Sequence, residues 1–414
     1  MRELLKPLYI LFLLLSFPLF GDNQFSSYCG CDSFHEGKRQ TADTLHFGKL
    51  WKQIQRLEET QQLDGLIEAR RQELSLQKEH WRVKIESHQP STFLEEVEMA
   101  LANGRLSPSD SGCGGAYILY DHEDYPRFVV KPIDEDILCL NNRKLFASPY
   151  NDRAFRVRSQ IPLYRSPQAE ALSYRFAELL ESTHLSPQTS LVIISSPSFH
   201  DIGDRLDTKE KEAFHAKTGP ADREKLCSVQ RFLPHEESLF DLIQGWVDED
   251  LSEESVCKRL DQQDFEDLML FIWCIYDTDG HVGNFPASKD AKGIYHLKKI
   301  DNGLAFPNEN SKLFNVLYFL PHARATLSLR MRERIQELPT DAMVDAIHYF
   351  EMEGCLEAFK ERIHVLQELG KRDNMTLSEI DMRLRALQLP EGKELALGKK
   401  SLCELEALMP FIEN

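Results

Sequence analysis

The feature that most constrains the fold is an apolar run that ends directly in a polar loop. The run is "LMLFIWCI" at 268–275, and "YDTDGHVGNF" follows it at 276–285. A helix with apolar residues on every face is buried inside a domain, so the run predicts a central helix. The two aspartates, the histidine and the asparagine that follow would then lie at the end of a buried element. Polar side chains in such a place indicate a functional loop.

The size and charge of the chain limit the class of protein. With 414 residues, of which 42% are hydrophobic, the chain can form one large elaborated domain or two domains. Its formal net charge of −18 disfavours nucleic acid as a partner, because nucleic-acid-binding proteins need a basic face to neutralise phosphates. A local basic patch is still compatible with this charge.

The N-terminus predicts a secretory signal peptide at 1–21. Arg2 and Lys6 precede a mostly apolar run at 8–20, which is shorter than the about 20 residues of a membrane-spanning helix. An uncleaved N-terminal anchor is the alternative, because Leu19 stands where a small residue usually precedes the cleavage site. We therefore expect an exported bacterial protein, which is either secreted or associated with a membrane. None of the nine cysteines has C-x-x-C spacing, which disfavours a zinc or redox motif.

The periodicity of the chain predicts an α+β fold in several parts. Residues 22–106 would form a helical N-terminal extension, 107–325 a core, and 326–414 a further helical part. Within the core, "GAYILYD" and "PRFVVKPI" indicate a β-hairpin. The other elements predicted in the core are a helix at 166–182, strands at 189–197 and 226–234, and helices at about 237–247 and 259–276.

A glycine-rich stretch and a lysine accompany the hairpin. Gly112, Gly114 and Gly115 would let backbone N–H groups approach an anion closely, although most such clusters are plain turns. Lys131 ends the second strand, where it is either an edge lysine with a buried stem or a charge for nucleotide phosphates. Glycine loop, hairpin and lysine occur in this order in the N-terminal lobe of kinases.

The polar loop and a later acid provide groups suited to phosphoryl transfer. Asp279 would orient or deprotonate an attacking hydroxyl, and Asn284 would supply a neutral oxygen ligand for Mg²⁺. Asp301 in "KKIDNGLAF" would be the second metal ligand, since two oxygen side chains with phosphate and water suit Mg²⁺. The alternative for the loop is a helix C-cap with Asx turns. The ordered set of glycines, lysine and acids favours the catalytic interpretation.

These stretches together resemble the phosphatidylinositol 3- and 4-kinase superfamily, and most of all its type II phosphatidylinositol 4-kinase branch. "FVVKPIDED" is similar to the lysine motif of that branch, "SVQRFL" to its hinge, and "DGHVGN" to the D-R-H-x-x-N of the superfamily. "IDNGLAFP" matches the type II metal-ligand motif almost letter for letter. The resemblance covers about 107–310. It implies a two-lobed protein-kinase-like fold, with a β-rich N-lobe at 107–234 and a mainly helical C-lobe from 235.

The resemblance also implies a role for each candidate residue. The residues that it assigns to ATP are Gly112, Gly114 and Gly115 over the phosphates, Lys131 on the phosphates with Glu170 as its partner, and Gln230, Phe232 and Leu233 at the adenine. The residues that it assigns to the reaction are Asp279 as catalytic acid or base, His281 beside the transferred phosphoryl group, and Asn284 and Asp301 on magnesium. Glu178 and Glu181 are alternatives to Glu170.

Two departures from the family pattern leave the substrate and the activity open. Gly280 replaces the arginine that usually follows the catalytic aspartate, which removes a cation that holds the loop and raises a nucleotide-binding pseudokinase scaffold as an alternative. A basic insert at 143–165 replaces a cysteine-rich acylation segment, and it would face anionic lipid headgroups, bind an acidic protein or form a solvated loop. The basic residues of this insert are Arg143, Lys144, Arg153, Arg156, Arg158 and Arg165. We expect a phosphoinositide lipid as the acceptor, with a protein serine or threonine as the alternative.

Overall fold

A computed structural model describes residues 62–86, 92–112, 114–136, 139, 141–144, 163–205, 207–234, 237–308 and 313–387. The predicted signal peptide and most of the basic insert lie outside these residues. The described chain mixes helices with antiparallel sheets, as the sequence predicts.

The helices and strands are numbered here in chain order. The helices are α1 (Gln62–Glu86), α2 (Thr92–Asn103), α3 (Ser166–Leu179), α4 (Thr208–Thr218), α5 (Leu239–Asp248), α6 (Glu253–Cys257), α7 (Gln262–Ile275), α8 (Leu329–Gln336), α9 (Thr340–Tyr349), α10 (Leu356–Gly370) and α11 (Leu377–Ala386). The strands are β1 (Arg105–Pro108), β2 (Tyr117–Tyr120), β3 (Pro126–Pro132), β4 (Thr189–Ser195), β5 (Glu224–Arg231), β6 (Glu237–Ser238), β7 (Pro286–Lys289) and β8 (Tyr295–Leu297).

One compact unit, the sheet unit, comprises the described residues up to 144 and those at 190–232. Its five-stranded sheet has the order β1-β2-β3-β5-β4. The predicted hairpin is confirmed, because β2 pairs antiparallel with β3 and places Tyr117 opposite Val130. Phe93 and Val97 of α2 pack against Phe128 of β3 in the core of this unit. The predicted helical stretch ends earlier than expected, since 105–108 forms the edge strand β1.

The second compact unit, the helical unit, comprises the described residues at 163–189 and from 233 onward. Its centre is α7, in which every side chain from Phe265 to Ile275 is buried, so the prediction of a central helix is confirmed. Helices α3, α8, α10 and α11 pack against α7. A small antiparallel sheet with the order β6-β7-β8 completes this unit.

The stretch around "IDNGLAF" is extended only at its start. Only Tyr295–Leu297 forms a strand, and the residues after it make turns in which Asp301 has φ 59° and Phe306 φ 57°. Both values lie in the left-handed region, which non-glycine residues rarely adopt. Among the helices of the described residues, none has the length and apolar character that crossing a membrane requires.

Candidate active site

The polar loop that follows α7 folds into a compact turn. The helix ends because Tyr276 adopts a left-handed conformation, with φ 50°. The carbonyl oxygen of Asp279 accepts hydrogen bonds from the Nδ2 atom of Asn284 at 2.8 Å and from the backbone N–H of His281 at 2.8 Å. Three predicted residues, Asp279, His281 and Asn284, are therefore held within one turn, here called the Asp279 loop (277–284).

The segment that carries Asp301 lies beside the Asp279 loop. The backbone N–H of Ile300 donates to the carbonyl oxygen of Asn284 at 3.1 Å. Further along, the hydroxyl of Thr278 donates to the carbonyl oxygen of Leu304 at 2.6 Å. Asn284 is buried, whereas the side chain of Asp301 is exposed to solvent. The backbone contact brings together the two segments that carry the predicted metal ligands.

A buried ion pair that sequence reasoning missed joins the loop to this segment. The Nζ atom of Lys299 lies 3.0 Å from the Oδ2 atom of Asp277, and neither side chain has any exposed surface. Lys299 also donates to the carbonyl oxygens of Ile300 at 2.7 Å and Asp301 at 3.2 Å. The other carboxylate oxygen of Asp277 accepts the N–H of Asp279 at 3.0 Å. One lysine and one aspartate thus bind the backbone on both sides of the site.

The electrostatics of the loop suit proton transfer near neutral pH. The pKa of Asp279, a partly exposed side chain, is raised to about 8, first because partial removal from water disfavours the charged carboxylate and then because Asp277 and Asp301 lie nearby. Partial burial, followed by the charge of Lys299, lowers the pKa of His281, which favours the neutral imidazole. The Nδ1 atom of His281 accepts the N–H of Gly283 at 3.1 Å, which leaves the ring proton on Nε2 as a hydrogen-bond donor.

The predicted ligands fit a magnesium ion in their chemistry. Because the Nδ2 atom of Asn284 donates to Asp279, the Oδ1 atom of the same amide is its remaining acceptor. The exposed carboxylate of Asp301 provides a second hard oxygen, the ligand type that Mg²⁺ prefers. Within the described part of the chain, no group of three or more His, Cys, Asp and Glu side chains is arranged to hold a metal. A magnesium ion at this site would take its other ligands from phosphate and water.

Gly280 occupies a position that has no space for a side chain. Its N–H donates to the carbonyl oxygen of Phe314 at 2.9 Å, and its own carbonyl accepts from the N–H of Val316 at 3.0 Å. A Cβ atom at position 280 would lie 2.4 Å from the carbonyl oxygen of Phe314. The glycine that replaces the family's arginine therefore permits the loop backbone to pair with 314–316.

Glu170 lies near the Asp301 segment within the helical unit. It is the fifth residue of α3, beyond the first turn of the helix, and it is buried. A Cβ atom built on Gly303 would be 3.6 Å from a carboxylate oxygen of Glu170. The alternatives differ, because Glu178 forms a surface ion pair with Arg175 at 2.9 Å and Glu181 follows the end of the helix. Of the three acids, Glu170 alone is buried.

The predicted ATP residues of the sheet unit line one hairpin and the strand beside it. Gly112, with φ 72°, lies in the β1–β2 connection with Gly114 and Gly115. Lys131 of β3 is opposite Ser228 of β5. Gln230 is buried two positions further along β5, and the N–H of Phe232 donates to the carbonyl oxygen of Arg127. The division between the two units falls between Phe232 and Leu233.

A buried polar cluster under the glycine-rich connection was missed by sequence reasoning. Lys225 of β5 pairs with Asp134 at 2.9 Å and with Glu135 at 2.8 Å. Tyr117 donates to Glu135 at 2.6 Å, and the carbonyl oxygen of Glu135 accepts the N–H of Gly115 at 2.7 Å. Burial is the main reason that the pKa of Glu135 is raised to about 7. The cluster holds one end of the glycine-rich connection.

The first residues of the basic insert contact the glycine-rich connection. Arg143 donates to the carbonyl oxygen of Ser109, and Lys144 donates to the carbonyl oxygens of Ser111 and of Gly112, the latter at 2.8 Å. Arg143 and Lys144 thus act on the loop, while the insert at 145–162 lies outside the described residues. The lipid role predicted for the insert, and the pairing of Lys131 with Glu170, which belong to different units, remain predictions.

Comparison with known proteins gives partial similarity to one group of enzymes. No family model matches the chain. The chain is 30% identical over 227 residues to "Phosphatidylinositol 4-kinase gamma 1" of Arabidopsis thaliana, which covers 52% of this chain and 35% of the relative. It is 29% identical over 213 residues to "Phosphatidylinositol 4-kinase gamma 5" of the same plant, covering 48% of this chain and 28% of the relative. A third relative, "Phosphatidylinositol 4-kinase gamma 6", is 28% identical over 246 residues, covering 56% and 35%.

These comparisons support a phosphatidylinositol kinase-like relationship. The chain spans about a third of the length of the curated relatives that it matches. The match is therefore partial and at low identity.

Proposed function

We propose that the chain is a two-lobed, kinase-like enzyme that transfers the γ-phosphoryl group of ATP to a hydroxyl of a phosphoinositide lipid, with Mg²⁺. The observation that carries this proposal is the hydrogen bond between Ile300 and Asn284, which joins the Asp279 loop to the Asp301 segment. Phosphoryl transfer needs an acid for the hydroxyl and two oxygen ligands for the metal at one place. The relatives named as phosphatidylinositol 4-kinases support the lipid as acceptor.

The residues of the helical unit divide the chemistry between them. Asp279, with a pKa near 8, accepts the proton of the attacking hydroxyl. The Nε2–H of neutral His281 donates a hydrogen bond to an oxygen of the transferred group. The Oδ1 atom of Asn284 and the carboxylate of Asp301 would hold magnesium, which would neutralise negative charge on the phosphates of ATP.

The residues of the sheet unit bind the nucleotide in this proposal. Lys131 contacts the phosphates, and the glycine-rich connection covers them. The backbone at Gln230 and Phe232 binds the adenine. The buried contact of Glu135 with Gly115 supports the connection in a fixed conformation.

The test is a transfer assay on residues 22–414 with labelled ATP and Mg²⁺. Phosphoinositide vesicles and a protein extract are offered in parallel. Labelled lipid would support the proposal, whereas labelled protein would identify a protein serine or threonine as the acceptor instead. Asp301→Ala is expected to lower transfer at least about a hundredfold, because a metal ligand is lost. The matched control is Asp341→Ala, at an exposed position of α9 in the same unit. Full activity of Asp301→Ala would remove the metal assignment.

We further propose that the protein is exported through residues 1–21 and meets an anionic membrane through the insert at 143–165. The basic n-region with a short apolar run supports export, and the excess of arginine supports attraction to anionic lipid. Expression of the full gene in a bacterial host should yield a secreted chain that lacks 1–21. Retention of these residues in a cytoplasmic product would contradict the export proposal.

A further inference from the structure

We propose that the C-terminal helix α11 positions the Asp279 loop, and that Arg385 on this helix supplies the loop-holding cation that Gly280 cannot supply. The kinetic part of this inference rests on the proposed function. Its structural part concerns only the contacts of described residues within the helical unit, and can be tested without a substrate.

The Asp279 loop is bracketed by the backbone of 314–316. Besides the two hydrogen bonds of Gly280 described above, the N–H of Phe314 donates to the carbonyl oxygen of Asp277 at 3.1 Å. Three backbone hydrogen bonds therefore link 277–280 to 314–316. Any displacement of Asn315, which lies at the centre of this segment, would displace the loop.

Asn315 is held by α11 through a buried carboxylate. Its Nδ2 atom donates to the Oδ1 atom of Asp381 at 3.1 Å, and both residues are almost fully buried. The Nη2 atom of Arg385 donates to the carbonyl oxygen of Asn315 at 2.8 Å. The Nε atom of Arg385 donates to the Oδ2 atom of Asp381 at 2.5 Å. Asp381 and Arg385, one helical turn apart, thus bind both the side chain and the backbone of Asn315.

The same helix also holds the end of α7 from which the loop emerges. The indole N–H of Trp273 donates to the Oδ1 atom of Asp381 at 3.0 Å. The hydroxyl of Tyr276 donates to the carbonyl oxygen of Leu384 at 3.3 Å. Asp381 is therefore a shared acceptor for the helix before the loop and for the segment beside it. This arrangement fixes the position of the loop relative to α7.

The charge of Arg385 is an integral part of this arrangement. Asp381 is a fully buried carboxylate, and a buried charge requires a counter-ion and hydrogen bonds. Arg385 provides the counter-ion and a hydrogen bond to Asp381, and its planar guanidinium can at the same time donate to the carbonyl oxygen of Asn315. Arg385 is a positioning residue, since its contacts are to Asp381, Asn315 and the ring of Tyr318 at 4.2 Å.

The experiment compares Arg385→Gln with two matched variants. Arg383→Gln removes an arginine from the exposed face of the same helix, and Arg385→Lys keeps the charge without the planar guanidinium. Amide hydrogen exchange is measured on peptides covering 277–284 and 313–317, together with kcat and KM for ATP. We expect exchange at Gly280 and Val316 to become about tenfold faster in Arg385→Gln, with less change in Arg385→Lys and none in Arg383→Gln.

The kinetic result separates positioning from stability. We expect kcat to fall about tenfold in Arg385→Gln with KM for ATP nearly unchanged, because nucleotide-binding groups are untouched. Unchanged exchange at 277–284 would overturn the inference, as would a uniform increase across α9 and α10, which would indicate a purely structural role. If the wild-type chain transfers no phosphate, the proposed function fails, but the exchange measurements still decide whether α11 holds the loop.

Discussion

Asp277→Asn should destabilise the helical unit, because it leaves the ammonium group of Lys299 buried without its counter-ion. Both side chains are fully buried at a separation of 3.0 Å. Removing one partner of a buried ion pair costs about 3–5 kcal/mol, since the remaining charge is uncompensated. Lys299 keeps its hydrogen bonds to the carbonyl oxygens of Ile300 and Asp301, so we expect a loss near the lower end, about 3 kcal/mol.

A double-mutant cycle isolates the interaction from other effects of each change. Lys299→Met should cost a similar amount, whereas the double variant Asp277→Asn/Lys299→Met, which buries no net charge, should lose markedly less than the sum of the two. The assay is urea unfolding followed by tryptophan fluorescence, with Trp273 buried in the same unit. The control cycle is the surface pair Arg175 and Glu178, whose coupling should stay below about 1 kcal/mol. Additive losses at 277 and 299 would refute this reasoning.

The same two variants should shift the pH profile of activity in opposite directions. Asp277 raises the pKa of Asp279 and Lys299 lowers it. Asp279 acts as a base only when deprotonated, so activity is lost as the pH falls through its pKa. Asp277→Asn therefore moves the acidic limb of kcat to lower pH, and Lys299→Met moves it to higher pH. Shifts of the same sign would contradict the assignment of Asp279 as the titrating base.

Two further predictions concern positions outside this pair. Gly280→Ala should lower the free energy of unfolding by about 1–3 kcal/mol and reduce phosphoryl transfer, because the new Cβ would collide with the carbonyl oxygen of Phe314. The assay is urea unfolding, and the control is Gly245→Ala, because no atom lies within 4 Å of a Cβ at that position. Burial lowers the pKa of His322 to about 4, below its usual 6.5. The unfolded chain therefore binds this proton at a higher pH than the folded chain does, so the free energy of unfolding is unaffected above pH 6.5 and decreases as the pH falls towards 4. Between pH 7 and pH 4 the wild-type chain should lose up to about 3 kcal/mol more of its free energy of unfolding than a His322→Leu variant. Parallel curves of unfolding free energy against pH for the two proteins would contradict this prediction.

The elements that could be predicted are those with a strong local pattern. The central helix α7 follows from an uninterrupted apolar run, and the β2–β3 hairpin from two short β-rich runs around a polar turn. Strand β1 could not be predicted, because "RLSP" is a four-residue edge strand directly after an amphipathic helix. Its identity depends on pairing with β2, which is not visible in the local sequence.

The candidate site shows the same division between local and tertiary information. Asp279, Asn284 and Asp301 could be named from spacing and resemblance because a motif contains them. Asp277 and Lys299 could not, although each is adjacent to a predicted motif, since only the fold reveals that both are buried and 3.0 Å apart. Asp381 lies about a hundred residues from the loop, in a stretch whose sequence gave no chemical signal.

Gly280 departs from the superfamily motif that the loop resembles, but the fold supplies other contacts that hold the loop. Taken alone, the glycine removes a cation from the catalytic loop and favours a pseudokinase. In the folded chain, two other cations bind the backbone around that loop, Lys299 through the carbonyls at 300 and 301 and Arg385 through Asn315. The absence of a side chain at 280 is also what allows 314–316 to approach. Loop anchoring is therefore present at other positions, and Gly280 by itself is no argument for a pseudokinase.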